Sequence, residues 1–142
     1  MSELPSVLHA LHDGERALEQ LLVDVAERHR AEHEIHHVAL DLARWSREHA
    51  ERLALAGGLR PSRPTAGRPS AETLPQLLAD LRELHLAATA NSLHWEMLAQ
   101  AAQATKDQDL LALATACHPQ TLRQMRWTNT MVKTLSPQLL NS

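Results

Sequence analysis

The residues that carry the most chemistry are polar side chains standing where leucine is expected. Leu4, Leu8, Leu11, Leu18, Leu22 and Val25 recur at helical spacing, and Glu15 breaks that stripe at its centre. A buried carboxylate needs a cation, a metal or a proton as partner. His49 interrupts a second stripe, Ile35, Val38, Leu42, Trp45 and Leu53, in the same way. If the chain turns back near residues 31 and 32, positions equally far from the turn face one another, and Glu15 lies opposite Glu48 and His49. A carboxylate and an imidazole at one level are either a hydrogen-bonded pair that specifies packing or a site for a single transition metal.

Two further constellations invite a chemical reading. His33-Glu34-Ile35-His36-His37 matches H-E-x-x-H, in which two histidines one helical turn apart bind zinc and the Glu acts as base. A metalloprotease helix normally follows a sheet whose edge holds the substrate, and this chain offers no strand candidate. The motif also falls in a predicted turn, so a solvated helix end is the reading set beside a zinc hydrolase. With His29 nearby, such surface histidines can still take up Zn, Ni or Cu adventitiously. His94 and His118 approach each other across the second hairpin, and Cys117 adjoins His118; a Cys/His metal site stands there against a core Cys and a surface His.

Helices are nearly forced as the elements that position these groups. The 142 residues hold no Phe and no Tyr, only three Trp and four Gly, while 44% are hydrophobic, mainly Leu and Ala. Strands favour β-branched and aromatic side chains, so sandwiches, barrels and α/β sheets are excluded on composition. A single domain over 1–142 is predicted, with helices over 3–29, 34–56, 73–104 and 106–135 and a connector over 57–72. Ser2 caps the first helix, and RHRAEHE breaks the apolar stripe between the first two. GGLRPSRPTAGRPS opens the connector, with Gly57 and Gly58 as the helix stop. Thr73 with Gln76, and Thr105 with Gln108, form capping-box signatures; Pro119 lies inside the last helix, and Ser136-Pro137 ends it.

Helices of about 25 residues are about 38 Å long, and a connector of about 16 residues extends to about 50 Å. The connector can therefore cross the length of the bundle and set helices two and three parallel; an up-down-up-down bundle with a slack loop is the alternative. Under the crossover, His85 falls near the Glu15 level, and helix four supplies Gln124 or Trp127. Asn91, Ser92, Thr121 and Thr128 make the second hairpin's interior polar as well.

In this arrangement the chain resembles the ferritin-like superfamily, whose members place a Glu from the first and third helices and a Glu-x-x-His from the second and fourth around a di-metal centre. ARWSREHAERLALAG looks most like that family's second helix, with Glu15 matching the first-helix ligand and His49 the first histidine. The chain departs from the pattern elsewhere. Ser46 stands where the second helix should carry Glu, helix three offers Ala88 or Asn91 for its Glu, and Gln124-x-x-Trp127 is no Glu-x-x-His.

The resemblance implies an all-α, ferritin-like four-helix bundle with a depleted centre. Glu15, His49, Glu48 and His85 are its candidate metal ligands, for one Fe, Zn or Mn ion or for none, without efficient iron oxidation. The alternative is a metal-free structural or protein-interaction module. A second apolar line on helix three, Leu86, Leu93 and Met97, points to a homodimer. The formal charge of −3, with ten His able to reverse its sign as pH falls toward about 5, does not suggest nucleic acid. No stretch approaches a membrane span, MSELPSVLHALHDGE lacks a signal-peptide pattern, and the lone Cys117 gives no oxidising signal, so a cytoplasmic protein is expected.

Overall fold

The computed structural model describes residues 3–59 and 74–141, which form α1 (Leu4–Arg28), α2 (His33–Gly57), α3 (Gln76–Thr105) and α4 (Gln108–Leu140), with no strand among the described residues. Residues 29–32 make the predicted turn. His29 N–H and Glu32 N–H close it on Val25 O and His29 O at 3.0 Å each, without Gly, Pro or Asn. α2 stops at Gly58, whose φ of 61° places it in the left-handed region where a residue without Cβ costs least.

Helix ends depart from expectation in three places. α3 begins at Gln76 with Pro75 at its N-cap position; Thr73, like Ser2 and most of the 57–72 connector, lies outside the described residues. The cap of α4 is Asp107, whose carboxylate accepts from Leu110 N–H at 3.1 Å, while Thr105 belongs to the last turn of α3 and donates to Ala101 O. A carboxylate takes the cap because it is a stronger acceptor for orphan amides than a hydroxyl and complements the helix dipole. Ser136-Pro137 does not end α4, which continues to Leu140. Pro119 and Pro137 deprive the carbonyls of Thr115 and Lys133 of their helical donors, but both residues are exposed, so solvent can take the donors' place.

α1 neighbours α2 and α3, and α4 neighbours α3 and α2, which leaves α1 with α4 and α2 with α3 as the diagonals. Cross-helix bonds set the directions. Arg28 meets Asp80 while Gly14 meets Asn91, so α1 and α3 are antiparallel; His49 meets Gln120 while Leu42 meets Gln124, so α2 and α4 are antiparallel. The α1/α2 turn makes that pair antiparallel too, and α2 and α3 therefore run in the same sense.

The core is divided. Leu18, Leu22, Val25, Ile35, Leu42, Leu81, Leu84 and Met131 fill one end, and Leu8, Leu11, Leu53, Trp95, Leu98, Leu110 and Leu113 the other. Buried Glu15, Ser46, His49, Asn91, Thr121 and Gln124 lie between these two sets along the helices. At the end where α1 finishes and α3 starts, buried Asp80 accepts from Arg28 Nη1 and His29 Nε2 at 2.7 Å each, and from Gln76 Nε2 at 2.8 Å. Removing one partner of such a network leaves the others desolvated and unpaired. Asp80→Ala should therefore cost about 2–4 kcal/mol in denaturant unfolding; a loss below about 0.5 kcal/mol, as at an ordinary surface site, would contradict the clamp.

Candidate functional site

Four helices contribute one side chain each to the central cluster. Glu15 (α1), completely buried, uses Oε2 to accept from His49 Nδ1 (α2) and from Trp95 Nε1 (α3), both at 2.9 Å. His49 Nε2 donates to Gln120 Oε1 (α4) at 2.7 Å. The His49 ring stands edge-on to Trp95, with centroids 5.8 Å apart and planes at 83°. Helical periodicity explains the convergence: Glu15 and His49 occupy leucine positions of their stripes, and antiparallel pairing of α1 and α2 brings them to one level.

Both partners of His49 are acceptor oxygens, so the ring satisfies them only by carrying both protons. Burial disfavours that charge, but the hydrogen bond and charge of Glu15, the Gln120 carbonyl and the more distant Glu48 carboxylate outweigh it, and the His49 pKa lies above its ordinary 6.5. The result is a buried imidazolium–carboxylate pair.

A second set of bonds locks the neighbouring turns. Gln124 Nε2 donates to Ser46 Oγ at 2.9 Å and to Leu42 O at 3.0 Å, tying α4 to α2. Asn91 Nδ2 donates to Gly14 O at 3.2 Å, and a Cβ at Gly14 would collide with the Asn91 amide, so glycine lets α1 and α3 approach closely here.

The predicted ligands separate. Glu15 and His49 meet as expected. Glu48, one residue from His49 and so rotated by about 100° of helix, is exposed and does not enter the core. His85 is half-buried and bonds to Thr128 Oγ1 at 2.9 Å, outside the Glu15 network. Gln124 joins the polar layer, whereas Trp127 packs against the apolar cluster around Leu84 and Met131. Trp95 and Gln120 complete the site without having been singled out. A tryptophan on a buried stripe must find an acceptor for its N–H, and that signal was available; Gln120 lies off the inner line of α4 and gave none.

A di-metal centre does not fit this donor set. Among the described residues Glu15 is the only carboxylate in the layer, buried Ser46 stands three residues before His49, and both His49 nitrogens are committed. Glu15 Oε1 and Gln124 Oε1 are buried without a hydrogen-bond partner, but one carboxylate and one amide oxygen are a meagre set for Fe, Zn or Mn. Among the described residues no group of three or more His, Cys, Asp or Glu is placed to hold a metal.

The other constellations stay apart as well. His33, Glu34 and His37 are exposed at the start of α2, and His36 donates from Nδ1 to Ala26 O at 2.7 Å, buttressing the hairpin. Cys117 points into the core, where burial pushes its thiol up to about 12 and keeps it from acting as a thiolate ligand. His118 turns instead to Ser92 Oγ at 2.9 Å and Glu96 Oε2 at 3.4 Å. No family model, no curated protein and no solved structure matches the chain.

Because folded His49 holds its proton more tightly than the unfolded chain does, its contribution to stability is full below about pH 6.5 and is lost as pH rises through the folded-state value. Urea unfolding across that range should show wild-type stability falling with pH relative to His49→Gln. Parallel pH profiles for the two proteins would contradict the buried charged pair.

Proposed function

We propose that this chain is a divergent ferritin-like bundle in which the metal centre has given way to an internal ion pair, and that it acts as a structural, protein-binding module. The commitment of both His49 nitrogens to protein acceptors carries this reading. The parallel sense of α2 and α3 supports the ferritin-like arrangement, because a connector between them must return along the bundle. A metalloprotease finds no support in the exposed His33, Glu34 and His37.

The binding surface we assign is the outer line of α3. Leu86, Leu93 and Met97 are each about half exposed, seven and four residues apart, with the exposed small residues Ala90 and Ala104 on the same face. Such a ridge packs against a helix, and a second copy of the chain offers the same ridge.

Metal analysis of untagged protein tests the first part. The expected result is well under one metal per chain; stoichiometric Fe, Zn or Mn that disappears in Glu15→Ala/His49→Ala would overturn it in favour of a single-metal site. Light scattering coupled to gel filtration tests the second. Wild type should run as a dimer and Leu93→Glu as a folded monomer, whereas identical masses would remove α3 as the interface.

A further inference from the structure

Away from the central layer, α3 and α4 part into a groove of about 290 Å³. Leu78 and Val132 line its length, Leu74 and Leu140 its outer end, and Arg82 and His85 the end nearer the middle of the bundle. On α3 the sequence sets this up directly: Leu78, Arg82 and His85 lie at i, i+4 and i+7, one face of a helix. The walls are mostly carbon, with Arg82 and His85 entering from α3 and Asn129 and Ser136 from α4.

Arg82 and His85 retain unused hydrogen-bonding capacity. The Thr128 hydroxyl gives its only proton to Met125 O, so it must accept from His85 Nδ1–H; His85 keeps Nε2, which donates to a carboxylate when the acid's own proton is taken up there on binding. Arg82 spends one guanidinium nitrogen on Glu83 Oε1 at 2.8 Å and keeps the remaining donors of its fork. An apolar slot ending in a guanidinium and an imidazole matches one ligand chemistry, an aliphatic chain bearing a carboxylate. The volume, at the small end of ligand sites, limits the chain to medium length.

We infer that the α3/α4 groove binds a medium-chain monocarboxylate, with its head at Arg82 and His85 and its tail along Leu78 and Val132. Leu86 stands at the rim shared by the groove and the proposed dimer ridge, whereas Leu93 and Met97 do not line the groove, so the Leu93→Glu variant serves as a background in which pairing cannot interfere.

Calorimetric titration of the full chain with hexanoate, octanoate and decanoate, below micelle formation, tests the assignment. One decanoate per chain is expected, with affinity rising about three- to fourfold for each added methylene. Arg82→Gln should weaken binding about tenfold, Leu86→Glu at the groove wall should weaken it further, and decanoate should shift the amide resonances of Leu78, His85 and Val132. No saturation by about 1 mM decanoate, the weak limit of measurable affinity, would overturn the inference. Equal binding of decyltrimethylammonium, or resonance shifts confined to the outer α3 ridge, would also overturn it.

Discussion

A carboxylate held out of water at the centre of a four-helix bundle must be neutralised and hydrogen-bonded, and Glu15 imposes that demand on every helix of this protein. Each remaining helix answers with a donor or with a group that orients one: His49 from α2, Trp95 from α3, and Gln120 from α4 acting through His49. Leaving such a charge unpaired would cost about 3–5 kcal/mol, a large part of what a domain of this size has in total. The helices therefore cannot slide past one another without breaking the cluster. Asn91 on Gly14 and Gln124 on Leu42 repeat the constraint on the two antiparallel pairs that share no hairpin turn.

This arrangement explains the divided core. Leucines and alanines pack in almost any register, and a bundle of Leu and Ala alone would be poorly specified. The polar layer gives the two apolar halves a fixed phase, and Asp80 pins the open end by joining α1 to α3. A metal centre fixes a bundle in the same manner, by making each helix deliver one ligand. Here the protons that His49 gives to Glu15 and Gln120 join α1, α2 and α4 in that way.

Much of this was legible in the sequence because helical periodicity is a strong signal. The four helices, the turn at residues 29–32 and the meeting of Glu15 with His49 follow from apolar stripes interrupted at matching distances from a turn. Details that depend on rotation about a helix axis were less secure. Glu48 shares a level with His49 but not a face, and His85 lies near the layer yet bonds elsewhere. Thr105 and Asp107 are both acceptable caps, and the carboxylate's stronger acceptance and match to the helix dipole favour Asp107. Pro137 reads as a stop until exposure of the Lys133 carbonyl is known. The Asp80 clamp and the Gln120 contact were not legible at all, since each joins residues far apart in sequence with no local pattern to mark them.

His49 holds two protons inside the bundle, one for Glu15 and one for Gln120. Nitrogen-15 NMR of the imidazole rings at about pH 7.5, where an unperturbed histidine is mostly neutral, reads this directly. Both His49 nitrogens should carry bonded protons there, with both signals shifting when Glu15 is replaced by Gln. A His49 ring with one bare nitrogen at that pH would contradict it.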